Sequence, residues 1–181
     1  MQRETLALPP PAPAPADAAP GPPMRFDAFY ESEYRRVVSV AFALTGSWAA
    51  AEDIAQEAFL VAHDRWAEVR DFDLPAAWVT KVASNQAVSW VRRRRSELRA
   101  LTRLRGRRAE HAELDAADEE FWAAVRRLPA NQATAITLHY LDDRPVAEIA
   151  EVLDCAPSTA RVHLHRGRKA LAALLDLEVS A

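Results

Sequence analysis

Pro145-Val146-Ala147-Glu148-Ile149-Ala150-Glu151-Val152-Leu153 is followed by Asp154-Cys155-Ala156, and then by Pro157-Ser158-Thr159, which opens another helical pattern. Val146, Ile149, Ala150 and Leu153 recur at spacings of three and four, so one face of the first helix is apolar. In the second, Ala160, Leu164, Gly167 and Leu171 fall at i, i+4, i+7 and i+11 and point inward against that face. Two helices joined by so short a turn form a helix-turn-helix.

The opposite face of the second helix carries Ser158, Arg161, Val162, His165 and Lys169, with Arg166 beside them. Such side chains can reach base edges and phosphates in a major groove, and Arg161 or Arg166 could pair bidentately with guanine. On the pattern alone, an ordinary helical hairpin with a solvated basic face stands beside DNA binding. Around it, helical patterns over residues 121–128, 131–141, 146–153 and 158–175 predict a four-helix domain at residues 118–177.

Upstream, Tyr30, Tyr34, Val37, Val38, Ala41 and Phe42 share a helical face. Gly46 and Ser47 break the pattern, and Ser47 can cap a helix whose apolar face holds Ile54, Ala55, Ala58, Phe59 and Ala62. Residues 66–74 are charged and irregular. Pro75 suits the first turn of a third helix through Trp78, Val79, Val82, Ala83 and Trp90. These patterns predict a second helical domain at residues 24–95. No segment alternates as a strand does, so the fold class is all-α: two small helical domains joined by a flexible charged linker at residues 96–117.

Eight of the twelve prolines and six alanines lie in the first 23 residues, which predicts a disordered Pro/Ala-rich tail at residues 1–23. A proline-rich docking segment and a translation start at Met24 are its other readings. The chain holds 23 Lys+Arg against 26 Asp+Glu, a net charge of -3, which taken whole argues against nucleic acid. Yet residues 92–108 contain nine arginines and one glutamate, so the average conceals a polarised chain. The single cysteine, Cys155, excludes an internal disulfide framework and a multi-cysteine zinc site, and is read as a small buried apolar residue in a reducing, cytoplasmic setting. The five histidines show no metal-ligand spacing, four glycines leave no phosphate loop, and no apolar run suits a bilayer. Neither an active site nor a cofactor is expected, and Asp142 and Asp143 read as a solvated turn.

Two separate motifs carry a resemblance to a known family. The run from Leu128-Pro129 through Glu148-Ile149-Ala150 to Thr159-Ala160-Arg161-Val162-His163-Leu164-His165-Arg166-Gly167-Arg168 resembles the fourth conserved region of bacterial extracytoplasmic-function (group 4) sigma factors. Ala51-Glu52-Asp53-Ile54-Ala55-Gln56-Glu57-Ala58-Phe59, and then Ala77-Trp78-Val79 with Ala83-Ser84-Asn85 and the arginine run, resemble their second region. Within that family the sequence resembles the actinobacterial SigE-like type.

The resemblance implies a non-enzymatic, cytoplasmic initiation factor, nucleoid-associated when bound to polymerase. Its partners would be core RNA polymerase, promoter DNA and an anti-sigma factor, with no membrane and no small-molecule substrate. Asp53, Gln56 and Glu57 would grip the polymerase. Phe72, Lys81, Asn85, Ser89 and Arg92 would hold the minus-ten strand and a flipped base, which stacking and hydrogen bonds must stabilise. Trp78 is another candidate for stacking, though it is read as core. Ser158, Thr159, Arg161, Val162, His165, Arg166 and Lys169 would read the minus-thirty-five element.

Departures from the family pattern are local. Asp154 stands where glycine is frequent in the turn, and tolerates a left-handed backbone. Val162 and His163 replace a small polar residue and an arginine, and Pro145 gives up a side-chain cap. A stand-alone helix-turn-helix regulator and an interaction adaptor that has lost promoter recognition are the rival readings. The first lacks a visible dimerisation element; Val162 and His163 support the second.

Overall fold

The computed structural model describes residues 24–101 and 116–179. It contains α1 (Phe26–Thr45), α2 (Trp48–Asp64), α3 (Trp66–Val69), α4 (Pro75–Leu101), α5 (Ala116–Arg127), α6 (Ala130–Tyr140), α7 (Val146–Leu153) and α8 (Pro157–Val179), with no strand among the described residues. The all-α expectation therefore holds. The tail at residues 1–23, and the linker between residues 102 and 115, lie outside the described residues.

Helices α1, α2 and α4 form the first unit. Gly46, at φ +70°, ends α1 in the left-handed region, and its N–H donates to Phe42 O at 2.7 Å. One residue later the Ser47 hydroxyl accepts from Ala50 N–H at 3.4 Å, the expected cap of α2. Val37, Val40, Ile54, Ala58, Phe59, Val79 and Ala83 fill the core between the three helices. Burial of a side chain such as Phe59 contributes about 1.5–3 kcal/mol. Phe26, Phe29, Phe59 and Trp66 gather at one end, with Phe29 and Trp66 centroids 5.0 Å apart. That aromatic contact draws Trp66 inward and folds α3 where an irregular segment was expected.

The first part of the expected linker also differs, because α4 continues to Leu101. Residues 96–101 contain neither glycine nor proline, and Arg94 and Glu97 pair at 3.7 Å across one turn.

In the second unit α6, α7 and α5 surround α8. Ala160, Leu164, Gly167 and Leu171 are all buried, as the spacing requires. Gly167 brings α8 so close to α6 that a Cβ at this position would lie 2.8 Å from Ile136 Cγ1. Asp154 adopts φ +53° and ψ +51° and closes α7, with Cys155 N–H donating to Ala150 O at 3.0 Å.

The two units are packed on each other, α4 against α7 and α1 against α5 and α6, and their cores are continuous. Asp142 corrects the sequence reading at this seam. It is buried rather than solvated, its carboxylate accepting from Arg36 Nε at 2.7 Å and from Arg144 Nε. Only Asp143, exposed at φ +49°, behaves as the solvated turn residue. Arg144 is also buried and donates to Glu148 at 3.2 Å and to the Thr80 hydroxyl of α4 at 3.1 Å.

Gly167→Ala should lower stability. Alanine favours a helix over glycine by about 1 kcal/mol, but overpacking against a fully buried Ile136 costs about 1–3 kcal/mol. The measurement is the denaturant midpoint, expected to fall with the m-value unchanged.

Candidate nucleic-acid interface

Pro157 begins α8 directly after the turn, and the first two turns of the helix keep one face in the core of the second unit and the other at the surface. Ser158, Thr159, Arg161, Val162, His165, Arg166 and Lys169 are all exposed, and they alternate with the buried Ala160, Leu164 and Gly167. The predicted outward face is thus one continuous surface. Val162 is 43% exposed amid polar neighbours, and a methyl-bearing side chain there suits the thymine methyl. His163 is half-buried on the flank rather than on the face.

Arg168, which sequence reasoning did not single out, turns away toward α6. Its Nε donates to Tyr140 Oη at 2.9 Å, and its guanidinium sits 5.6 Å above that ring. The partner lies 28 positions upstream, so spacing along α8 gives no sign of it. Cys155 at the turn is half-buried rather than fully enclosed. Burial still pushes its thiol pKa up, the charge of Asp154 adds to this, and a backbone hydrogen bond from Ala160 opposes it.

The residues expected to hold the minus-ten strand all lie on α4 or the loop before it, but they divide between two clefts. One, of about 480 Å³, is lined by Phe72, Leu74, Trp78 and Lys81, and on its far side by Glu151 of α7. Phe72 and Trp78 have centroids 6.1 Å apart and tilted planes, and the Arg65 guanidinium lies 5.6 Å from the Trp78 ring. Trp78 is half-buried: it packs on the core, as expected, and walls the cleft as well. Lys81 pairs with Asp154 at 3.2 Å.

A second cleft, of about 530 Å³, is lined by Asn85, Ser89, Arg92 and Arg93 of α4 with Ile54 and Glu57 of α2. Asn85 and Arg92 are exposed and Ser89 is half-buried. Phe72 and Asn85 therefore do not share one pocket. A strand lying along α4 would pass from the aromatic cleft to the amide-and-arginine cleft, a length suited to several nucleotides.

Asp53, Gln56 and Glu57 are exposed along α2, opposite Ile54, Ala55 and Ala58 in the core. Leu60, 60% exposed, extends this stripe by one turn and was not predicted. Its place three residues after Glu57 was the available signal. Glu57 belongs both to this stripe and to the second cleft. Among the described residues no group of three or more His, Cys, Asp or Glu could hold a metal ion, and no helix is long and apolar enough to cross a membrane.

Comparison with known proteins matches residues 29–97 to Sigma-70 region 2 and residues 118–171 to Sigma-70, region 4. The sequence is 25% identical over 154 residues to the ECF RNA polymerase sigma factor SigW of Bacillus subtilis, covering 75% of this chain and 81% of that protein. It is 35% identical over 160 residues to the ECF RNA polymerase sigma factor SigJ of Mycobacterium tuberculosis, covering 80% of this chain and 49% of that protein. This chain thus spans about half the length of that second relative. The fold is similar to that of the sigma factor RpoE from Bartonella quintana, crystallised with the anti-sigma factor NepR, at a TM-score of 0.62 and 24% identity over 83% of this chain and 96% of that one.

Arg161→Ala tests the exposed face of α8. The expected loss is on the order of 1–3 kcal/mol of discrimination, confined to one base pair, in competition binding against a panel of single-substituted duplexes. An equal loss on every duplex assigns Arg161 to phosphate.

Proposed function

The chain belongs to the extracytoplasmic-function sigma factors of the sigma-70 family, and on that premise we propose how its two helical units divide the work of promoter-specific initiation. A member of this family joins core RNA polymerase and directs it to a class of promoters. The carrying observation is that both conserved regions occur in order on one chain, each with its polar face at the surface.

In this reading residues 24–95 form the polymerase-binding and minus-ten domain, and residues 118–177 the minus-thirty-five domain. Asp53, Gln56 and Glu57 present an acidic and amide-bearing stripe suited to a basic polymerase surface. Phe72 supplies an aromatic face for an extruded base, Asn85 donates and accepts hydrogen bonds to it, and Lys81, Ser89 and Arg92 follow the backbone. The exposed face of α8 reads the minus-thirty-five duplex. Because both contacts are carried on one chain, the first raises the effective concentration of the second, so weak individual sites suffice.

The protein supplies binding and positioning, and the chemistry of RNA synthesis belongs to the polymerase. An anti-sigma factor is part of the proposal as a partner, and the cytoplasm, with nucleoid association through polymerase, as the location. The actinobacterial SigE-like subtype is the finer family assignment we propose; the 35% identity to a Mycobacterium tuberculosis protein supports its actinobacterial part.

Run-off transcription from a pool of genomic fragments, with purified core polymerase and with or without this protein, is the test. Transcripts that depend on the added chain are expected. Their absence, or DNA binding without any polymerase dependence, would sink the reading.

A further inference from the structure

Between the last turn of α1, the second half of α4 and the corner that joins α5 to α6 lies a cavity of about 320 Å³. Few voids inside a folded protein exceed the size of a water molecule, and an apolar lining around a larger one forgoes contacts it would otherwise make. Leu44, Val88, Val91, Leu128 and Ala133 supply that lining, and Val88 and Val91 stay half-buried in the packed chain. Among the described residues no carboxylate lines the cavity.

The polar wall is cationic. Arg92 and Arg95 come from one face of α4, three residues apart, and Arg126 from the last turn of α5. Arg126 is held in place: its Nη2 donates to Glu119 at 2.6 Å, and its Nε occupies the room that Gly46 leaves, since a Cβ on residue 46 would lie 3.1 Å from it. Arg95 Nη2 donates to Arg126 O at 2.6 Å, which draws the α4 arginine to the same corner. Yet Arg126 Nη1 is buried with no hydrogen-bond partner among the described residues. A guanidinium donor enclosed without an acceptor is costly to retain, and an acceptor brought by a ligand would satisfy it.

We propose that this cavity is a binding site for a small amphipathic carboxylate, its apolar body against Leu44, Val88, Val91 and Leu128 and its head on Arg126 and Arg95. A carboxylate fits the guanidinium fork bidentately, which a neutral head does not. Volume sets the size of the ligand: an apolar cavity of roughly 150 Å³ takes benzene, so about twice that space takes on the order of a dozen non-hydrogen atoms. A straight-chain acid of about ten carbons meets this measure, and a two-chain lipid far exceeds it. Of the residues named, Arg92 alone belongs also to the proposed strand-binding face of α4, and the site does not depend on it.

The test is calorimetric titration of the full chain with decanoate, kept below its micelle-forming concentration. Beside it run acetate, which is the head alone, and decyltrimethylammonium, which keeps the chain and inverts the charge. Decanoate should bind at one site and about tenfold or more tighter than either control. Two variants locate that site. Arg126→Gln would also take this partner from Glu119, so Arg95→Gln removes charge instead and should weaken decanoate about tenfold, the loss of one charge-assisted contact. Ala130→Phe, at the rim, fills the mouth and should abolish binding with every arginine kept. Residues 95 and 130 are both exposed, where substitutions rarely disturb a fold.

Decanoate no tighter than acetate reduces the cavity to a patch of surface arginines, and equal binding of decyltrimethylammonium reduces it to bare apolar surface. Either result overturns the proposal. So does decanoate binding that neither Arg95→Gln nor Ala130→Phe weakens, because the ligand is then held elsewhere.

Discussion

One buried carboxylate holds the two halves of this molecule in register. Asp142 accepts from Arg36 of α1 and from Arg144 of its own turn, and Arg144 goes on to Glu148 and to Thr80 of α4. An ion removed from water must have every lone pair and proton satisfied, and here one turn between α6 and α7 supplies or recruits all the partners. Hydrogen bonding to Asp142 is also what chiefly raises the Arg36 pKa, against the opposing effect of desolvation. The position of α7 over α4, and with it the shape of the aromatic cleft, follows from this arrangement.

Much of the fold was legible because its signals are local. The apolar spacing in α1, α2, α7 and α8, the Ser47 cap, the Pro75 start and the left-handed Asp154 each depend on residues within a turn or two. The same holds for the exposed faces of α2 and α8, since a helix whose inward residues are known has its outward ones determined. Asp142 was misread for the complementary reason. Its Arg36 partner lies 106 positions away, and an Asp-Asp pair before a helix has the composition of a solvated turn. The division of the α4 residues between two clefts escaped for the same cause, because neighbours from α2 and α7 decide it.

The net charge of -3 resolves along similar lines. Arginines concentrate on the last turns of α4 and just beyond, while carboxylates line α2 and α7. Attraction to phosphate and attraction to a basic protein surface can therefore coexist on one small chain without cancelling, so long as the opposite charges are kept on separate elements. Where they meet, at Lys81 and Asp154, the molecule recognises itself.

Gly167, set close against Ile136, lies nine residues from Ser158, and the arm of α8 between them is held down by the buried Ala160 and Leu164. At 1.5 Å of rise per residue the arm is roughly 13 Å long, so a tilt of about 10° at the glycine would swing the tip by on the order of 2 Å. That exceeds the tolerance of a hydrogen bond to a base edge. Side chains on the exposed face can thus be exchanged without moving the helix, whereas a change at any of the inward contacts re-aims all of them.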